Sequence, residues 1–213
     1  MSAIRAALRP IKAFVKRAAG HQEGAPVFPK KGNQQGLKVH LGAGPVNLQG
    51  WVNIDGRQAD HIHLSTVGFS LNEFAAGSLA EIYMCHVLEH FSFTESKDLL
   101  IHLRTKLKPG GVIRLSVPDF QKLAELYAHQ HCGLKTIQYA LMGGQDYLYN
   151  FHKSVFDAHC LRDLLLECGY AQVEPWETLQ DFGVDLGDWS SKGFKVNGKL
   201  FPISLNLKAV NPE

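Results

Sequence analysis

The segment Leu37-Lys38-Val39-His40-Leu41-Gly42-Ala43-Gly44, continuing to Trp51-Val52-Asn53-Ile54-Asp55, decides how this chain is read. An apolar run of strand length ends in two closely spaced glycines, and a second apolar run ends in a carboxylate. Gly42 and Gly44 permit backbone angles that a Cβ forbids and let a ligand approach the main chain. Asp55 is placed to accept hydrogen bonds from two adjacent hydroxyls of a ribose. The pair reads as half of a nucleoside-binding crevice at the carboxyl ends of parallel strands, with a plain glycine turn as the bland alternative. A dinucleotide site is disfavoured. Asn47 stands where G-x-G-x-x-G needs its third glycine, and Asp55 falls short of that fingerprint's spacing of about 20 residues.

Only residues 45–50 separate the two runs, which is short for a parallel crossover of about 10–12 residues. His61–Leu64 reads as a third short strand and residues 70–77 as a loop or brief helix. Leu79–Cys85 (LAEIYMC) is a buried strand with His86-Val87-Leu88-Glu89-His90 at its carboxyl end. Thr94 is read as the N-cap of an amphipathic helix carrying Leu99, Leu100, Leu103 and Leu107, and Lys108-Pro109-Gly110-Gly111 ends it. Val112–Val117 is a β-branched strand closed by Pro118-Asp119. Residues 119–131 look helical, residues 133–153 carry no clear pattern, and Phe156–Cys168 is a helix ended by Gly169. Ala171–Leu179 and Phe201–Val210 read as strands. This alternation argues α/β with a mostly parallel sheet.

At 213 residues, 45% hydrophobic and 20% charged, the chain is an ordinary globular one. No run approaches the roughly 18 apolar residues of a membrane span. Cys85, Cys132, Cys160 and Cys168 form no C-x-x-C pair, which suits reduced thiols in a cytoplasmic protein. Residues 1–31 hold seven basic residues against Glu23 alone, a net of +6, so with a total of +2 the remainder carries −4. An acidic body argues against nucleic acid as a partner. Ile4, Ala7, Leu8, Ile11, Phe14 and Val15 recur at helical spacing, interrupted by Pro10. This basic amphipathic segment, residues 1–19, has three readings: it lies on an anionic membrane surface, here the inner face; it packs on its own domain or a partner subunit; or it is a transit peptide. Residues 20–36 read as linker, giving an arm over residues 1–36 and a domain over residues 37–213.

The ordered pieces VHLGAG, GWVNID, IYMCHVLEHF, LKPGGVIRLSVPDF, YNFHKSVFDAHCLRDLLLECGY and FPISLNLKAV together resemble the class I S-adenosylmethionine-dependent methyltransferases. More narrowly, the chain resembles predicted methyltransferases associated with bacterial surface-polysaccharide biosynthesis. The resemblance implies a Rossmann-like, seven-stranded, mostly parallel sheet with an antiparallel C-terminal hairpin and helices on both faces. It implies S-adenosylmethionine as cofactor. Gly42, Ala43 and Gly44 would pass beside its methionine part, Asp55 would hold the ribose, and Cys85 and His86 would line the cofactor and its methyl. His40 stands where many of these enzymes carry an acidic residue contacting the cofactor's amino group through water. The carboxylate usual near the third strand is replaced by Leu64 and Ser65, with Asp60 close by.

His86-x-x-Glu89-His90 also spells the H-x-x-E-H pattern of certain zinc proteases. It follows a strand rather than lying in a long helix, so no metal is assigned. Methyl transfer to a hydroxyl gains from a base, and histidine suits that task. His86 is the first candidate by position, His152 in Tyr149-Asn150-Phe151-His152-Lys153 the second and Asp119 the third; each also has a purely structural reading. His90 is read as supporting the fold. The expected function is O-methylation of a sugar or glycan, with a small-molecule or lipid-linked glycan acceptor as partner and self-association left open. The alternatives are a small-molecule or protein methyltransferase, and a non-catalytic scaffold keeping the fold.

Overall fold

The computed structural model describes residues 35–66, 68–129 and 132–212. The basic amphipathic segment, and all of the linker except its last two residues, lie outside this description. A single seven-stranded sheet has the order β3-β2-β1-β4-β5-β9-β6. Its strands are β1 (Leu37–Leu41), β2 (Val52–Asp55), β3 (Leu64–Ser65), β4 (Leu79–Cys85), β5 (Leu107–Pro118), β6 (Ala171–Pro175) and β9 (Ser204–Val210). The first five pair in parallel, and β9 runs antiparallel between β5 and β6. A separate hairpin joins β7 (Gly193–Val196) to β8 (Lys199–Pro202). The helices are α1 (Phe93–Lys106), α2 (Phe120–His129), α3 (Leu134–Met142), α4 (Ala158–Glu167) and α5 (Thr178–Phe182). No helix among the described residues is long and apolar enough to cross a membrane.

The strands bury their apolar sets in two layers. Val39, Leu41, Ile54, Ile82, Met84, Ile113, Leu115 and Leu207 face Leu99, Leu100 and Leu103 of α1 and Leu161 and Leu165 of α4 in the main core. The opposite face is mixed. Lys38 pairs with Glu81, Glu81 with Arg114, Arg114 with Asp181, and Asp181 with Lys208, a charge ladder running across β1, β4, β5 and β9 to α5. One layer further along, Tyr83, Leu48 and Trp176 pack with Trp51 and Phe182. Helices thus lie on both faces, with α5 against the second through Phe182.

His40 belongs to this second layer. It is 1% exposed, stacks on Tyr83 at 5.0 Å and donates from Nδ1 to Asn53 Oδ1 at 3.2 Å. The ring sits in a packed layer against Tyr83 and Asn53, on the sheet face opposite Val39 and Leu41. Burial lowers its pKa to about 4 from 6.5. Between those two values the unfolded chain takes up a proton that the folded chain refuses, so stability falls as pH drops below 6.5. His40 is expected to contribute about 2 kcal/mol of the stability lost between pH 7 and pH 5. Urea unfolding at both pH values should show His40→Gln losing less stability than wild type by that amount; equal losses would remove the assignment.

Several boundaries differ from expectation. Ser92, not Thr94, caps α1: its hydroxyl accepts from Glu95 N and the Glu95 carboxylate accepts from Ser92 N. This S-x-x-E capping box stabilises a helix start by about 1 kcal/mol. The strand from Ala171 stops at Pro175, and the following residues turn into α5. The strand expected from Phe201 is two elements, since Phe201 and Pro202 belong to β8 and Ser204 begins β9; Pro202 has no N–H to continue a ladder. Phe156 forms a parallel bridge with Asp119, and α4 begins after its Asp157 cap. The short crossover from β1 to β2 is made of turns, Val46 N donating to Ala43 O and Trp51 N to Leu48 O, with no helix.

Candidate functional site

The strand order reverses between β1 and β4, and at such a switch point the carboxyl-end loops diverge and leave a crevice. Gly42–Gly44 follow β1, Asp55 ends β2, Cys85 and His86 close β4, and Asp119 follows β5. Gly42 has φ +68°, and a Cβ there would run into Val87 Cγ2, so the glycine turn packs directly on the turn after β4. Gly44 N donates to Asp55 Oδ2 at 2.8 Å, and Arg57 N donates to Asp55 Oδ1 at 2.8 Å. His61, which the sequence did not single out, donates from Nε2 to Gly44 O at 2.8 Å. The glycine turn and Asp55 are therefore one hydrogen-bonded unit.

His86 has φ +53°, a left-handed conformation uncommon outside glycine and characteristic of constrained sites. Its N–H donates to Ser116 O, and the sharp turn sends the ring across β5 toward β9. Nε2 lies 2.8 Å from Ser204 Oγ, and that hydroxyl donates its own proton to Trp189 O at 2.6 Å. Ser204 must then accept, so Nε2 of His86 carries the proton and Nδ1 a lone pair. The ring also stacks on Trp189 at 5.7 Å. Burial, reinforced by the neighbouring His152 and His90, lowers its pKa to about 3, which keeps the ring neutral.

The Nδ1 of His86 faces Glu89 Oε1 at 3.6 Å. Glu89 comes from a 3-10 turn over Leu88–His90 and is 1% exposed. Neither carboxylate oxygen has a hydrogen-bond partner, and burial pushes its pKa up to about 8. His152 arrives from the loop after α3. That loop docks on the same turn because Lys153 N and Ser154 N both donate to Glu89 O. His152 donates from Nδ1 to Ala140 O at 2.9 Å and places Nε2 3.8 Å from Glu89 Oε1. Its ring meets His90 edge-on at 4.8 Å. Burial, then His90, lowers the His152 pKa to about 4.

Asp119 is buried and caps α2, its Oδ1 accepting from Gln121 N and Lys122 N and its Oδ2 pairing with Lys122 at 3.4 Å. Cys85 keeps a protonated thiol, since burial pushes its pKa well above the ordinary range. Beside Glu89, the residues Pro118, Phe120, Leu123, Ala140 and Val155 line a narrow depression.

No family model matches the chain, and no curated protein matches it. Among solved structures it is similar to an S-adenosylmethionine-dependent methyltransferase, possible histamine N-methyltransferase, from Thermotoga maritima, with TM-score 0.50 and 14% identity over 83% of each chain. The fold is that of the class I methyltransferases. The methyltransferase SibL in its apo form gives TM-score 0.50 at 11% identity, over 84% of this chain and 51% of SibL. A possible exported protein from Bordetella parapertussis gives 0.51 at 12% identity, over 96% of this chain and 68% of that one. At these identities the likeness is one of fold.

On this methyltransferase fold, the structure brings His86 and His152 together around Glu89, which sequence reading noticed only as part of H-x-x-E-H. Ser204 and Trp189, which set the tautomer and plane of His86, had no local signal. They lie more than 100 residues along the chain and reach the ring only through the β5–β9 pairing.

Proposed function

We propose that this chain uses S-adenosylmethionine to methylate an oxygen of a sugar or glycan. The observation that carries the reading is the bond between the glycine turn and Asp55 at the sheet's switch point, beside the turn bearing His86. The residues fit the cofactor: Gly42 and Gly44 leave bare main chain on either side of Ala43, Asp55 is a ribose acceptor, and Cys85 and His86 close the crevice. When bound, the cofactor supplies an electrophilic methyl on its sulfonium sulfur. The protein's part is chiefly to hold an acceptor oxygen in line, since proximity supplies much of the rate in such displacements. Neutral His86, its Nε2–H committed to Ser204, offers Nδ1 to the proton of an acceptor hydroxyl. Titration with S-adenosylhomocysteine tests the site, and its failure on folded protein would leave a scaffold that keeps only the fold.

The sugar acceptor rests on the narrower resemblance carried by the ordered set of pieces from VHLGAG to FPISLNLKAV. A lipid-linked acceptor fits a basic segment at residues 1–19 that touches an anionic membrane, since each basic residue near such a surface adds about 1 kcal/mol. Sedimentation with anionic vesicles is expected to pull down the full chain several-fold more than a version lacking residues 1–20. Equal partitioning would remove the membrane contact.

A further inference from the structure

We propose that Glu89, His90 and His152 bind a divalent first-row transition metal, with Nδ1 of His86 beside it as the proton acceptor. One ligand atom from each of Glu89, His90 and His152 lies within 4.8 Å of the others. Hydrogen bonding fixes the ring protons away from this cluster. His152 donates from Nδ1 to Ala140 O, His90 from Nδ1 to Phe151 O at 3.3 Å, and His86 from Nε2 to Ser204. A carbonyl oxygen can only accept, so each neutral ring is left with one lone pair. The carboxylate at their centre is fully buried and has no donor. Three imidazole lone pairs thus converge on one buried carboxyl group, whose proton a cation would displace.

The surroundings have the form of a metal site. Metal-bound histidines usually donate their second nitrogen to a carbonyl or carboxylate, which orients the ring, and His90 and His152 both do so. Bonds of about 2.0–2.2 Å place neighbouring ligand atoms about 3–3.5 Å apart. The 3.8 Å from Glu89 Oε1 to His152 Nε2 needs a few tenths of an ångström of contraction, and the widest separation in the cluster, up to 4.8 Å, needs more than an ångström. Two imidazoles and one carboxylate leave coordination positions open and favour zinc, cobalt, iron or manganese over magnesium or calcium. The cluster differs from the H-x-x-E-H helix of proteases: the left-handed turn at His86 breaks any helix, and His152 comes from a distant loop.

The role of the metal rests on the methyl-transfer reading. A metal held there would take an oxygen of the acceptor and lower that hydroxyl's pKa. Acceptors with two adjacent hydroxyls, as in many sugars, could chelate it.

The test uses tag-free, full-length chain stripped with a chelator and titrated with Co²⁺. One equivalent is expected to bind, with visible d–d absorption lacking the thiolate band that Cys85 or Cys160 would add. His152→Gln and His90→Asn, each checked for a wild-type circular dichroism spectrum, should each weaken binding more than about a hundredfold, beyond the 10–100-fold typical of outer-shell partners. Mg²⁺ should not compete. No stoichiometric uptake, or uptake unchanged in both variants, overturns the proposal. So does an infrared signal of a protonated Glu89 carboxyl, assigned by its loss in Glu89→Gln, in protein that takes up no metal. S-adenosylhomocysteine is titrated in parallel. Co²⁺ uptake without nucleoside binding supports the metal site and sinks the methyl-transfer reading, whereas nucleoside binding without Co²⁺ uptake does the reverse.

Discussion

Asp55→Ala is expected to weaken S-adenosylhomocysteine binding by at least about a hundredfold. Two hydrogen bonds from ribose hydroxyls to a carboxylate are worth about 1.5–3 kcal/mol each, and 1.4 kcal/mol is a factor of ten in affinity. The substitution also removes the acceptor for Gly44 N and Arg57 N, leaving the glycine turn tied to β2 by Ala43 N donating to Ile54 O. Asp55→Asn retains one acceptor oxygen and should fall between alanine and wild type. Calorimetric titration of the three proteins reads this directly, provided each unfolds with a wild-type midpoint in urea. An Asp55→Ala protein that binds within threefold of wild type would mean the nucleoside does not sit at the switch point.

His86→Asn is expected to lower kcat by about 10²- to 10⁴-fold, the usual contribution of a positioned base, while S-adenosylhomocysteine affinity changes less than about tenfold. Asparagine is the informative choice because it tolerates the left-handed backbone at this position better than alanine does. The turn after β4 then keeps its contact with Gly42. The experiment follows labelled methyl transfer to a sugar acceptor that the wild-type protein modifies. Loss of binding in step with turnover would make His86 a residue that shapes the crevice. Unchanged turnover would pass the proton-accepting role to His152.

Much of the fold was legible from local patterns. LKVHL and LAEIYMC are largely apolar runs, and a central parallel strand buries such a run, here with Lys38 and Glu81 pairing on its second face. The helices beginning near Ser92 and Asp157 were legible from apolar periodicity, though Ser92 rather than Thr94 caps the first and the second starts at Ala158 rather than Phe156. Residues 133–153 gave no periodic signal because α3 ends at Gly143 and the loop beyond is held by hydrogen bonds to Glu89 O. Phe201–Val210 read as one strand because a change of sheet leaves no mark except Pro202.

The sequence by itself determined the sheet, the glycine turn and the carboxylate at Asp55, because these depend on strand length, backbone freedom and the order of elements along the chain. Tertiary structure alone decided which histidine does what. His40 and His86 are both strand-end imidazoles in the sequence, yet the pleat turns one into Asn53 and Tyr83 while a left-handed turn swings the other toward Ser204 and Glu89. The meeting of His152 with Glu89 depends on a loop 63 residues away docking on a single 3-10 turn. A contact of that kind is set by where the chain returns, and nothing in the spacing of the residues records it.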